Sequence, residues 1–194
     1  MSTEIAKSNL RKKLRLIRQD FVLQRLSNNF IDEAHFSRWL SPLVENRRVV
    51  AGYAALGGEV PIANIMAWAE ESGSELALPY IANRDRPMEF RIWQTGGRLE
   101  RATFGFEQPT KDMPRIDPDV ILTPLVAFDA LFNRLGQGAG HYDRVFARLP
   151  GALRIGIAWS AQAVERVPTD PWDIPLDAIL TENDWLTNPN GRIK

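Results

Sequence analysis

The chain has 194 residues, 44% of them hydrophobic and 25% charged, which is enough for one domain with a sizeable core and ordinary for a soluble globular protein. Its formal net charge is +0 at pH 7, which excludes a whole-molecule field that recruits nucleic acid or an acidic membrane, so any polyanion has to be bound by a local cluster. Cysteine is absent, which excludes disulfides, thiolate zinc sites and a cysteine nucleophile and suits a cytoplasmic protein, and no apolar run approaches the roughly 18 residues of a membrane span or forms a secretory signal core.

In chain order, residues 4–26 read as a helix in which Leu10, Leu14, Ile17 and Phe21 recur at helical spacing and are expected to face the core. Lys7 and Arg11 share another face with Arg15 and Arg18, a pattern that a solvated basic face also explains. An Arg-rich transit peptide fits less well, because Glu4 and Asp20 interrupt it. A second helix is expected over 31–40, ending at Pro42. Residues 48–55 read as the first strand, 56–59 as a loop, and 61–72 as a helix opened by Pro61. Glu59 lies where an acid is favoured by a helix start, with or without a ligand. Strands are expected over 75–82, 88–93 and 99–106, with a Pro-rich loop over 108–118.

The most informative stretch is 119–144, DVILTPLVAFDALFNRLGQGAGHYDR. Val120, Ile121 and Leu122 form a buried strand closed by Pro124, and an amphipathic helix spans 142–149 before Pro150 and Gly151. Between them Gly136, Gly138 and Gly140 remove the Cβ atoms that would keep backbone N–H groups from converging on an anion. Arg134 and Arg144 flank the loop with fixed positive charge. A P-loop needs Lys-Ser/Thr after its last glycine, where this chain has His141 and Tyr142, and the dinucleotide spacing G-x-G-x-x-G is not met either. On composition alone, a phosphate site and a plain chain reversal are equal alternatives.

Residues 153–159 (LRIGIAW) read as a buried parallel strand and 160–166 as a short helical turn. Asp170, Asp173 and Asp177 follow among three prolines, where turn and cap roles are usual, and the last ten residues read as a frayed tail. Alternating helices and short apolar strands give one α/β domain over 1–194 with a mainly parallel sheet. In such sheets sites lie beyond the carboxyl ends of the strands, so the loops at 54–59, 134–142 and 167–173 are expected to converge on one cleft.

The string PLVAFD…NRLGQGAGHYDR resembles the signature of the 5-formyltetrahydrofolate cyclo-ligases, also called methenyltetrahydrofolate synthetases, which reads roughly P-x-[VL]-A-F-D-x-x-G-x-R-L-G-x-G-x-G-Y-Y-D. The match runs through Phe128, Asp129, Arg134, Leu135, Gly136, Gly138, Gly140, Tyr142 and Asp143. Two departures stand out: the pattern's glycine before the arginine is read as displaced, with Phe132 and Asn133 there, and its first tyrosine is His141. The segments 75–93 and 167–182 resemble further parts of the family pattern, so the resemblance covers nearly the whole chain.

The resemblance implies a three-layer, Rossmann-like fold and ATP- and Mg²⁺-dependent cyclisation of 5-formyltetrahydrofolate to 5,10-methenyltetrahydrofolate, with ADP and phosphate released. It implies that Lys7 and Arg11, at the family's K-x-x-x-R spacing, touch ATP phosphates, and that Ala54 and Glu59 contact the folate. Arg134, Leu135, Gly136, Gln137, Gly138, Ala139, Gly140, His141 and Tyr142 then form the nucleotide loop, with Arg134, His141 and Tyr142 at the reacting groups and Asp143 and Asp173 on Mg²⁺. Tyr80, Phe90 and Trp93 either line a slot for the flat pterin or belong to the core. The resulting expectation is a monomeric cytoplasmic enzyme of small-molecule metabolism that binds neither nucleic acid nor membrane. The competing readings are a sugar-phosphate isomerase or CoA-transferase-like enzyme on a related fold, and a non-catalytic folate or nucleotide binder.

Overall fold

The computed structural model describes residues 2–25, 31–44, 48–83, 86–102 and 105–193. Helices α1 (Thr3–Gln24) and α2 (Glu33–Val44) precede strand β1 (Val49–Ala51), and α3 (Ala63–Glu71) leads to β2 (Glu75–Tyr80) and β3 (Glu89–Ile92). An antiparallel pair, β4 (Leu99–Arg101) and β5 (Glu107–Pro109), precedes β6 (Val120–Pro124). A smaller pair, β7 (Ala127–Phe128) and β8 (Arg134–Leu135), feeds the glycine loop and α4 (His141–Arg148). The chain closes with β9 (Leu153–Ile157), β10 (Ala178–Leu180) and β11 (Trp185–Thr187).

The main sheet has the order β11-β10-β9-β6-β1-β2-β3, parallel from β10 to β2, with β11 and β3 added antiparallel at the edges. Strand period two sends neighbouring side chains to opposite faces. Val50, Leu122, Ile155 and Leu180 face a core completed by Phe36, Leu40, Ile65, Met66 and Trp159. Ala51, Ile121 and Ile179 face the other core, with Phe90, Val145 and Phe146. Each fully buried Val, Leu or Ile contributes on the order of 1.5–3 kcal/mol. Both faces are therefore covered, which gives the expected α/β arrangement of three layers. The strand order reverses at β1, which has β2 on one side and β6 on the other. Ligands in doubly wound sheets bind outside the carboxyl ends at such a reversal, so topology alone points to the segments leaving β1 and β6.

Helix α1 lies across those segments: Leu14 packs with Val126, Ala127, Leu135 and Val167 in a third, smaller cluster. The expected stripe is only partly observed, since Leu14 is 2% exposed but Ile17 is 37% exposed. The inward face instead carries Lys7 and Arg18, at 6% and 4% exposure, which a folded chain tolerates only when such charges find partners. Helix α2 runs through Pro42 to Val44; a proline in the last turn forfeits one backbone bond, and buried Leu40 and Val44 hold that turn in place. Strand β1 is shorter than expected. A Cβ on Gly52 would lie 2.5 Å from Met66 Sδ, so α3 passes close to the backbone just where the chain leaves the sheet.

Two further expectations are corrected. The strand read over 99–106 is β4 alone, positions 103–104 lie outside the described residues, and 107–109, read partly as loop, supply its partner β5. The terminal segment is not frayed: β11 pairs with β10, and Arg192 reaches back to Asp177. Asp177 is fully buried and also accepts from the Arg154 backbone N–H at 2.8 Å and from its guanidinium at 3.0 and 3.1 Å.

Candidate active site

After β6 the chain is turned back by Asp129, 3% exposed, whose carboxylate accepts from the backbone N–H groups of Leu131, Asn133 and Val167 at 3.0, 3.1 and 2.9 Å and from Asn133 Nδ2 at 3.0 Å. Within this turn Phe132 has φ 62°, the left-handed region that costs a residue with a Cβ about 1–2 kcal/mol. It stands at the glycine position of the cyclo-ligase pattern itself, so that glycine is replaced rather than displaced. The ring recovers the cost by burial in the second core. Phe132→Gly is therefore expected to lower stability by about 2–3 kcal/mol, with lost burial partly offset by relieved strain, whereas Phe132→Ala keeps the strain and should lose more. Thermal unfolding checks the order, and an alanine variant as stable as the glycine one would disprove the strain.

The turn delivers Arg134 beneath the glycine loop. A Cβ on Gly136 would come within 2.6 Å of Arg134 Nη1, and Gly138 and Gly140 adopt φ 114° and 63°. Gly138 and Gly140 therefore need glycine for conformation, while a side chain at Gly136 would push the Arg134 guanidinium aside. Arg134 Nη2 donates to both oxygens of Asp143 at 3.0 Å, and the guanidinium sits 5.5 Å from the ring centres of Tyr142 and Phe146. Its Nε is buried without a partner among the described residues.

Helix α1 presents its cations to the same loops in sequence. Lys7 Nζ contacts Asp170 at 2.6 Å and Asp173 at 2.5 Å. Burial pulls the Lys7 ammonium down, but these two carboxylates outweigh it and raise its pKa. Arg11 Nε donates to Gly136 O at 3.0 Å, Arg15 Nη2 to Gln137 Oε1 at 2.7 Å, and Arg18 Nη2 to Gly57 O at 2.8 Å. The face read as solvated is thus the face that meets the loops.

Glu59, 8% exposed, accepts from Leu56 N–H at 3.0 Å and Gln137 Nε2 at 2.9 Å. Burial raises its pKa, against the pull of those donors and of Arg18 and Arg15. Burial, then Glu59, likewise pushes the Tyr53 and Tyr142 hydroxyls well above their usual range, so both remain protonated donors at neutral pH. Arg144 Nη2 lies 3.0 Å from His141 Nδ1. A guanidinium can only donate, so Nδ1 accepts and the ring is the neutral Nε2–H tautomer. Burial, and secondarily Arg144, lower the His141 pKa in the same sense.

These groups share a cleft of about 560 Å³, within the range of small-molecule sites. Every expected site residue lines it: Lys7, Arg11, Ala54, Glu59, Arg134, Leu135, Gly136, Gln137, Gly138, Ala139, Gly140, His141, Tyr142, Asp143 and Asp173. The three loops do converge. The aromatic slot does not form: Phe90 is in the core, Trp93 packs on the opposite core, and Tyr80 lies against the Arg91 guanidinium at 4.2 Å. The apolar wall comes instead from Pro79, Ile81, Met88 and Phe106, with Tyr53, Asp170 and Trp172 also lining the cleft. Sequence alone does not mark the apolar ones as cleft residues, because an apolar residue beside a strand reads the same whether it faces a core or a ligand. For Asp170, three aspartates within eight residues was the only available signal.

Among the described residues, no three His, Asp or Glu side chains converge into a metal cage. Asp143 and Asp173 each already hold a cation, Arg134 and Lys7 respectively. This donor set does not suit an all-protein metal cage but does fit Mg²⁺, which keeps several waters and is commonly held by one or two carboxylates together with substrate phosphates.

A glycine loop at a helix start, inward-facing cations and a buried carboxylate at the reversal point of a doubly wound sheet give an α/β protein with a cleft of small-molecule size. The sequence pattern of the 5-formyltetrahydrofolate cyclo-ligase family matches residues 3–182, and the chain belongs to that family of ligases. The 5-formyltetrahydrofolate cyclo-ligase of Escherichia coli is 30% identical over 147 residues, 72% of this chain and 81% of that protein. That of Haemophilus influenzae is 39% identical over 88 residues, a match spanning 42% of this chain and 47% of the relative. The solved structure of Aquifex aeolicus 5,10-methenyltetrahydrofolate synthetase superposes with a TM-score of 0.70 at 30% identity, covering 97% of this chain and 95% of its own. Family membership sets aside the isomerase and CoA-transferase alternative.

Proposed function

We propose that the protein converts 5-formyltetrahydrofolate and ATP into 5,10-methenyltetrahydrofolate, ADP and phosphate. The observation that carries this reading is the convergence of the glycine loop, Lys7, Arg11 and Glu59 on one cleft, in a chain of the cyclo-ligase family. An N-formyl carbonyl is a poor electrophile, and ring closure requires loss of its oxygen. Transfer of the ATP γ-phosphoryl to that oxygen makes it a leaving group; N10 attacks the carbon and gives up its proton, and phosphate departs with the oxygen. The protein's task is to position two substrates and to stabilise charge on the transferring group.

In this reading the backbone N–H groups from Leu135 to Tyr142 and the cations Lys7, Arg11 and Arg134 receive the phosphates. Glu59, beside Ala54, accepts hydrogen bonds from the pterin's exocyclic amine and neighbouring ring N–H. Tyr142, a protonated donor, and His141, through its Nε2–H tautomer, position the formyl oxygen. Asp143 and Asp173 would hold Mg²⁺, which neutralises charge on phosphate oxygens when bound. The near-UV absorbance of methenyltetrahydrofolate tests the reaction directly. Product should form only with 5-formyltetrahydrofolate, ATP and Mg²⁺ together. Turnover without ATP, or binding of both substrates with no product, would refute the proposal, the latter in favour of a non-catalytic binder.

A further inference from the structure

We infer that Gln137 is a positioning residue that fixes the Glu59 carboxylate for the folate and joins that subsite to the phosphate loop; the inference rests on the folate reading above. Gln137 lies in the loop between Gly136 and Gly138, yet its side chain points away from any phosphate role. Nε2 donates to Glu59 Oε1 at 2.9 Å, and Oε1 accepts from Arg15 Nη2 at 2.7 Å. The amide cannot be reversed. A flipped amide would set its NH₂ against a guanidinium, which has no acceptor, and its oxygen against a carboxylate, which has no donor. Arg15 thus fixes the orientation of the amide, and the amide fixes one oxygen of Glu59.

The other oxygen of Glu59 is held by Leu56 N–H at 3.0 Å. With one donor on each oxygen, the carboxylate plane is set before a ligand arrives, and each oxygen retains acceptor capacity for a fused-ring amine and N–H. The other charged or titratable groups that face Glu59 are Arg15 and Arg18 from α1, Tyr53 after β1 and Tyr142 of α4. None of them replaces the Gln137 donor at hydrogen-bond distance. The backbone of Gln137 belongs to the phosphate loop while its side chain belongs to the folate subsite, so the position of the loop and the position of the Glu59 carboxylate are tied together.

The test is methenyltetrahydrofolate formation by the full chain across pH, for wild type, Gln137→Met, Gln137→Glu and Arg15→Met. Gln137→Met should raise the KM for 5-formyltetrahydrofolate about tenfold and that for ATP less than threefold, with the melting temperature close to wild type. A carboxylate that loses a donor is protonated more readily, so the acid limb of kcat/KM for the folate should move to higher pH. Gln137→Glu preserves shape and places a like charge against Glu59, so its limb should move furthest. Arg15→Met frees the amide and should move the limb least, in the same direction. An unchanged folate KM and pH profile in Gln137→Glu, or equal rises of both KM values in Gln137→Met, would overturn the inference. Wild-type protein that makes no methenyl product would overturn the folate reading itself, and the inference with it.

Discussion

Arg134→Ala is expected to lower kcat/KM about 100- to 1000-fold, the usual effect of removing one preorganised transition-state donor. Several features of Arg134 make a large effect the expected one. Its side chain is 3% exposed, so its position is imposed by packing rather than by solvent. The guanidinium is oriented by Nη2, which donates to both oxygens of Asp143, and by the rings of Tyr142 and Phe146, and a Cβ on Gly136 would come within 2.6 Å of its Nη1. Arg134→Lys tests geometry against charge: a lysine keeps the charge but cannot span Asp143 and the loop together, so it should recover little activity. Calorimetry with folate should change slightly, since the hydrogen-bond donors that hold Glu59 are Leu56 and Gln137, not Arg134. A loss of tenfold or less, with a large fall in melting temperature, would make Arg134 only the counter-ion of Asp143.

The largest expected stability effect lies outside the cleft. Asp177→Asn should lower stability by about 3–5 kcal/mol, because it leaves the guanidinium groups of Arg154 and Arg192 without their buried partner. For a chain of this size that corresponds to a fall in melting temperature of roughly 6–20 °C. Burial alone would raise the Asp177 carboxyl, but the hydrogen bonds and charges of Arg154 and Arg192 win and hold it well below the usual carboxylate range. A carboxyl with a depressed folded pKa stabilises the protein above its unfolded value of about 3.9 and loses that contribution as pH falls toward the folded value. The gap between wild type and Asp177→Asn should therefore be full at neutral pH and narrow below about pH 4. Its Mg²⁺ requirement should match wild type. An altered Mg²⁺ requirement with an unchanged melting temperature would move Asp177 into the metal site.

The central strands could be read from the sequence because VILTP and LRIGI are short, mostly apolar runs, broken only by Thr123 and Arg154, as strands covered on both faces tend to be. The loop was legible through the string around it, because three glycines at alternate positions alone read equally well as a chain reversal. Other features depended on partners remote in sequence. Lys7 reads as a solvated charge until Asp170 and Asp173, more than 160 positions away, are seen against it. The final ten residues read as a tail because their anchor, Asp177, resembles any turn aspartate. Phe132 is hard to place for a related reason: nothing in an aromatic residue announces the left-handed backbone that makes it the counterpart of the pattern's glycine.

Helix α1 has a consequence for how the protein comes into being. Lys7 leaves a ribosome 163 and 166 residues before the partners it meets, Asp170 and Asp173. Until then α1 can form as a local helix, but its inward charges have no partner and its docking surface near Val167 does not exist. Closing so long a loop is entropically unfavourable and tends to be slow. The cleft therefore closes only after position 173 has been made, and a chain truncated before position 170 would carry the whole glycine loop without the clasp that brings α1 over it.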